Sequence, residues 1–283
     1  MPDLRLRGGP LDGLALHYLV EGRGPIVVLV HGLGGFAASW RDTVAALASR
    51  FTVYALDLPG FGRSAKPRTR YGLGLFAGAL TGFLDALGIG QVSLVGHSLG
   101  AAVCAAYAVT RPGRVERLAF LAGLVPGCSY RLARAYRALA VPGLGEALAL
   151  CGCRPIYRMA LARCFHRPVS ETIGFLVEED YATRTAWEAR SAYLGTLRAV
   201  RDDFATRGPD YRRALARLDL PVLLIHGRQD PVVPAAHCVE IGAALPRATV
   251  RWLEGCGHFP QLEYPEVVSD WLGDFIATRP APR

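Results

Sequence analysis

The chain has 283 residues, of which 51% are hydrophobic and 20% charged, with 32 glycines and 19 prolines. A chain of this size can bury about three quarters of its extended surface, which excludes intrinsic disorder and leaves room for one large core carrying an insertion. The formal charge of +8 is supplied almost wholly by arginine, because Lys66 is the sole lysine.

In chain order, Arg5 to Arg7 and Leu14 to Val20, around Gly8, Gly9, Pro10 and Asp12-Gly13, predict an antiparallel hairpin at a sheet edge. Short apolar runs follow at Ile26 to Val30, Thr52 to Leu56, Gln91 to Val95, Arg117 to Leu121, Pro221 to Ile225 and Thr249 to Leu253. They do not alternate apolar with polar, which predicts parallel strands covered by helices on both faces. Ala86 to Thr110 contains no Asp, Glu, Lys or Arg and is long enough to span a membrane. Its interior is broken by Gly88, Gly90, Gln91, Ser93, Gly96, His97, Ser98 and Gly100, so a buried strand, a tight turn and a buried helix are expected instead.

Between Gly123 and Asp219 the strand spacing lapses, and helices are predicted at Tyr130 to Ala140, Leu144 to Leu150, Ile156 to Phe165 and Tyr181 to Arg201. Pro126, Pro142, Pro155 and Pro168 punctuate them, since proline starts or ends helices. Leu144, Leu148, Ile156, Met159, Phe165 and Phe175 fall at helical spacing and are expected in its core. From Gly127 to Arg217 there are 15 Arg against 9 Asp plus Glu. Acids are interleaved (Glu178, Glu179, Asp180, Asp202, Asp203), which predicts a solvated helical surface and no nucleic-acid partner, with mild attraction of anionic substrates left open. The tail Arg279 to Arg283 is expected to fray.

Seven cysteines (Cys104, Cys128, Cys151, Cys153, Cys164, Cys238, Cys256) cannot all pair within one chain, and the start MPDLRLRGGP has no apolar signal-peptide core. A cytoplasmic setting is the expectation. Cys151, Cys153, Cys164 and His166 are the metal-ligating alternative, but their spacing departs from the usual C-x-x-C pairs, and no metal is expected.

The chemistry-bearing run is Gly96-His97-Ser98-Leu99-Gly100, between the apolar Val92 to Val95 and an Ala-rich helix. A serine on a sharp strand-to-helix turn needs glycines two before and two after it to relieve crowding, and the helix start supplies N–H donors where an oxyanion would form. A hydroxyl is a poor nucleophile without a base. His258, in the flexible Gly255-Cys256-Gly257-His258-Phe259-Pro260 loop, is best placed to be that base. Asp230, after Pro221 to Gly227, lies where a strand's carboxyl end delivers an acid to orient it. Catalytic roles are therefore expected for Ser98, Asp230 and His258, oxyanion donors at the backbone of Leu99 and Leu33, and substrate contacts from His31, Gly32 and His97. A rival reading takes Gly32-Leu33-Gly34-Gly35-Phe36-Ala37 with Asp57 as a dinucleotide fingerprint. It leaves the three catalytic candidates unexplained.

His31-Gly32-Leu33-Gly34, Asp57-Leu58-Pro59-Gly60-Phe61-Gly62-Arg63-Ser64, Gly96 to Gly100, Gly227-Arg228-Gln229-Asp230-Pro231 and Gly257-His258-Phe259-Pro260 together resemble the capped α/β-hydrolases, over nearly the whole length. The resemblance implies an α/β fold with a mostly parallel eight-stranded sheet, residues 1–123 and 208–283 forming the core and residues 124–207 a helical cap. Ser98 is unlike the elbow aspartate of epoxide hydrolases and haloalkane dehalogenases, and His97 differs from the Asn found before the nucleophile in many carbon–carbon bond hydrolases. A serine esterase acting on small apolar esters of short-to-medium acyl chain is thus expected, without cofactor and without stable membrane insertion. Carbon–carbon hydrolysis, or a non-catalytic ligand-binding protein on the same fold, are the alternatives.

Overall fold

The computed structural model describes residues 3–130 and 132–278; the expected frayed tail at 279–283 lies outside them. Eight strands form one sheet: β1 (Asp3–Arg5), β2 (Ala15–Glu21), β3 (Ile26–Val30), β4 (Thr52–Leu56), β5 (Val92–His97), β6 (Val115–Leu121), β7 (Val222–Gly227) and β8 (Ala248–Leu253). Their spatial order is β1-β2-β4-β3-β5-β6-β7-β8. β1 pairs with β2 and β2 with β4 antiparallel, and every later pairing is parallel.

The inner parallel strands are mostly apolar because both sheet faces are covered, whereas the edge strand β8 alternates, with Thr249 and Arg251 exposed. Successive side chains of a strand point to opposite faces. Along β3, Val28 and Val30 enter one cluster with α2 (Leu73–Ala86) and α3 (Leu99–Thr110), whereas Val27 and Leu29 enter another with α1 (Arg41–Leu47) and α11 (Pro265–Ala277). Leu118 and Phe120 divide from Ala119 and Leu121 in the same way on β6. Each fully buried Val or Leu contributes about 1.5–3 kcal/mol through removal from water. Ala86 to Thr110 becomes the end of α2, then β5 and α3; among the described residues no helix is long and apolar enough to cross a membrane.

Five helices cover the carboxyl ends of the strands: α4 (Arg134–Leu139), α5 (Leu144–Leu150), α6 (Arg154–Ala162), α7 (Ser170–Arg184) and α8 (Trp187–Leu215). The structure differs from expectation here in four respects. The helix expected over Tyr181 to Arg201 is two, broken at Thr185-Ala186. α8 runs on through Pro209 and across position 207, so no chain break marks that end of the insertion. Leu144, Leu148, Ile156 and Met159 are exposed rather than core, while Phe165 is buried. Asp180 and Asp203, expected on a solvated face, are buried. Asp203 accepts hydrogen bonds from the Leu73 N–H at 2.8 Å and Arg70 at 2.6 Å, and so tethers α8 to the start of α2. Two short elements complete the chain, α9 (Ala235–Ala244) and α10 (Pro260–Glu263).

Candidate functional site

Ser98 sits between β5 and α3 with φ 51° and ψ −117°. Only one other non-glycine among the described residues, Ala122, has a positive φ. Such a conformation costs about 1–3 kcal/mol and survives only where neighbours impose it. The Ser98 N–H donates to the Leu121 carbonyl at 3.0 Å, and its own carbonyl accepts from Leu124 and Ala101, both at 3.0 Å. A Cβ on Gly96 would stand 2.5 Å from the Gly100 carbonyl oxygen, and one on Gly100 would strike the Val30 carbonyl oxygen. Glycine at those two positions lets the elbow close and aims the Ser98 hydroxyl out of the sheet.

The structure brings Ser98, His258 and Asp230 together. The Ser98 hydroxyl donates to His258 Nε2 at 3.0 Å, and His258 Nδ1–H donates to Asp230 Oδ2 at 2.9 Å. The other Asp230 oxygen accepts the N–H groups of Val232 and Val233 at 2.7 and 2.9 Å. Burial alone would raise the Asp230 carboxyl. The facing His258 and its hydrogen bond, with His226 and the Val233 N–H, outweigh burial and hold it below the ordinary carboxylate range. The acid is thus ionised and aimed at the ring that needs it.

His258 is also clamped through its backbone. Its N–H donates to the Cys164 carbonyl of the cap at 2.7 Å, and its carbonyl accepts from His97 Nε2–H at 2.7 Å. Burial, reinforced by His258, lowers His97 to about 3, so it is a neutral donor at ordinary pH. Phe259 is stacked between the His97 ring at 5.0 Å and Phe165 at 4.8 Å. Glu263 accepts the Gly257 N–H at 2.8 Å and the His166 N–H at 2.9 Å, fastening the base-carrying loop to the cap.

The loop after β3 supplies the facing wall. His31 is a correction to the expected substrate contacts: it is buried and does not line the cavity. Its Nδ1–H donates to the Gly32 carbonyl at 2.7 Å and its Nε2 accepts the Leu58 N–H at 3.0 Å, so both nitrogens shape the loop. Asp57 is likewise committed, accepting the N–H groups of Ala37 and Arg63, which removes the acid needed by a dinucleotide reading. The Gly34 carbonyl accepts a 2.6 Å hydrogen bond from Arg184 of the cap. Arg184 pairs with Asp180 at 2.7 Å and lies over Tyr193, 4.6 Å from the ring centre.

Gly32, Leu33, His97, Ser98, Leu99 and His258 all line one cavity of about 610 Å³ between sheet and cap. That volume suits a small organic substrate. Of the metal-ligating alternative, Cys151 and Cys153 are exposed and Cys164 donates to the Ala160 carbonyl. The described residues contain no group of three or more His, Cys, Asp and Glu side chains placed to hold an ion.

A serine on a strained strand-to-helix turn, an acid and then a histidine following it in that chain order, and a sheet that is parallel from β4 to β8 agree with the match of residues 27–271 to the profile described as "Alpha/beta hydrolase family". The chain belongs to that family. Within it, an uncharacterized protein of Mycobacterium tuberculosis is 32% identical, covering 98% of this chain and 82% of that one. A 2-hydroxy-6-oxononadienedioate/2-hydroxy-6-oxononatrienedioate hydrolase of Pseudomonas putida is 30% identical, over 96% of this chain and 94% of its own. A pimeloyl-[acyl-carrier protein] methyl ester esterase of Nitrosomonas europaea is also 30% identical, over 89% and 96%. Among solved structures, a haloalkane dehalogenase from Bradyrhizobium elkani superposes with a TM-score of 0.85 at 26% identity, covering 98% of this chain and 97% of that one. Glu263, Asp203, Arg184 and the backbone-clamping use of His97 escaped the reading of the sequence. Each acts on a partner more than five residues away, and no local pattern announces it.

Proposed function

We propose that the protein is a serine hydrolase that cleaves carboxylic esters of short-to-medium acyl chain. The observation that carries this reading is the continuous relay from the Ser98 hydroxyl through His258 to the ionised Asp230. His258 Nε2 takes the hydroxyl proton as Ser98 Oγ attacks the ester carbonyl carbon. The resulting oxyanion is received by the N–H groups of Leu99, at the start of α3, and Leu33. His258 then passes its proton to the departing alcohol, leaving an acyl-Ser98. Water, deprotonated by the same imidazole, releases the acid, while Asp230 stabilises the imidazolium in both halves. The mostly apolar cavity wall favours an apolar substrate body, and the Nitrosomonas relative's name supports ester chemistry.

Carbon–carbon bond hydrolysis is the second reading, favoured by the name of the Pseudomonas relative. A panel of p-nitrophenyl esters beside a vinylogous diketone, run on wild type and Ser98→Ala, separates the two. Ester turnover lost in the variant supports the first reading, and a large preference for the diketone overturns it. Labelling by a serine-directed phosphonate, located by mass spectrometry at Ser98, tests the nucleophile without a substrate. We place the protein in the cytoplasm, with a small-molecule substrate as its partner.

A further inference from the structure

We propose that the substrate carries an anionic group, a carboxylate or a phosphate, remote from the cleaved bond, and that Arg190 receives it inside the cavity. The inference rests on the hydrolase reading and names the substrate class that the same cavity takes. Apart from the relay itself, the charged residues in the cavity wall are Asp180, Arg184, Arg190 and Arg201. Asp180 and Arg184 neutralise each other at 2.7 Å. Arg201 is bound to the neighbouring Asp202 at 2.9 Å. Alone of these four, Arg190 has a side chain with no hydrogen bond, ion pair or ring contact among the described residues, and its Nε is buried from water without an acceptor.

A guanidinium offers five N–H donors and a permanent charge. Withdrawing any of them from water unmatched is unfavourable, and a cavity that does so is completed by a ligand that brings the acceptor. The surroundings fit an anion. Tyr193 lies three residues along α8, on the same helical face, and shares the cavity wall with Arg190. Burial raises the Tyr193 hydroxyl to about 12 and raises Tyr136, across the cavity wall, well above its ordinary value. Both therefore stay protonated as donors. The apolar remainder of the wall holds the chain joining this group to the ester. A planar fork receives carboxylate and phosphate oxygens alike, in paired hydrogen bonds.

The test compares ethyl hexanoate with monoethyl adipate, ethyl 5-phosphonopentanoate and the glycolic acid ester of hexanoic acid, following proton release. Wild type is expected to favour at least one anionic ester over the neutral one by about 10- to 100-fold in kcat/KM, the range of a charge-assisted hydrogen bond. Adipate and phosphonopentanoate distinguish carboxylate from phosphate, and the glycolate ester tells whether the charge belongs to the acyl or the alcohol side. Arg190→Met should collapse the ratio, chiefly through KM, and Arg190→Lys should restore part of it. Arg158→Met, which removes an exposed cap arginine outside the cavity wall, should leave the ratio in place. Equal rates for neutral and anionic esters in wild type, a preference that survives Arg190→Met, or one that falls equally in Arg158→Met each overturn the proposal. Calorimetry on Ser98→Ala, with monobutyl against dibutyl succinate, reads the anion site without turnover. If no ester is hydrolysed, the esterase reading fails, while tighter binding of the monoester that requires Arg190 still supports this one. Equal binding of the two removes it.

Discussion

The sheet with its flanking helices and the helical cap are held together by different physics. In the core, every residue of α3 from Leu99 to Ala108 is buried, as are all residues of β5 and β7. In the cap, α4 and α6 bury none of their residues, and Leu144, Leu150 and Met159 stand exposed at 47%, 62% and 48%. Beside a small apolar cluster of Phe165, Ile173, Leu176 and Val177, the cap relies on a set of arginine pairs: Arg198 with Glu146 at 2.6 Å, Arg154 with Glu178 at 3.1 Å, Arg184 with Asp180 at 2.7 Å. Dense packing suits groups that must hold sub-ångström geometry, and polar tethers suit a wall that must admit a substrate. The relay accordingly stands on strand ends, with Arg184 and Arg190 on the cap side.

The sharpest way to expose that division is to remove the nucleophile. Ser98→Ala should lower ester turnover by about 10⁶-fold. Its stability should move by less than about 1 kcal/mol, because the hydroxyl's partner is His258 and the surrounding packing is untouched. Matched kinetics and urea unfolding check both halves; a collapse in stability would mean that the relay also holds the core together.

On the cap side, Arg184→Met should cost about 3–5 kcal/mol at pH 8, because it leaves the Asp180 carboxylate buried without its partner. Burial already raises Asp180 to about 6 against the pull of Arg184, so the penalty should shrink toward pH 5 as the carboxyl takes a proton. Adding Asp180→Asn should return much of the loss at pH 8. If urea unfolding finds single and double variants alike, the pair does not hold the cap. Packing gives the next contrast: Leu94→Ala, at a fully buried sheet position, should cost about 3 kcal/mol, whereas Leu150→Ala on the exposed end of α5 should cost less than about 0.5. Comparable losses at both sites would erase the distinction.

The same division decides what the sequence reveals. β3 and β4 stand at Ile26–Val30 and Thr52–Leu56, as their apolar runs predict, because a strand covered on both faces needs nothing but apolar residues. Ser98, Asp230 and His258 were legible because the tight turn and the strand-end loops write glycines and prolines beside them. The break at Thr185-Ala186 was not, since no glycine or proline marks it and helical periodicity runs across. Asp203 reads as a solvated acid until α8 folds back and sets it at the first turn of α2. His31 sits in the motif expected to touch substrate, yet a glycine-rich turn needs internal hydrogen bonds, and the ring is used up supplying them.

A gentler probe of core against cap is acid. His97 is lowered to about 3 by burial and by the neighbouring His258, whereas in the unfolded chain it titrates near its ordinary 6.5. Between those values the unfolded state binds the proton and the folded state does not. The His97 contribution is therefore intact above pH 6.5 and is lost as pH falls toward 3, at up to about 1.4 kcal/mol per pH unit. Asp180 has the opposite sign: its raised carboxyl makes the folded state bind the extra proton between 3.8 and about 6, so acidification through that range favours the fold. His97→Gln keeps a side-chain N–H that can donate to the His258 carbonyl but cannot be charged. Its stability against pH should slope less than wild type between pH 6.5 and 4, and Asp180→Asn should slope more. Parallel curves for wild type and His97→Gln would mean that water reaches His97, and that the core around the relay is as yielding as the cap.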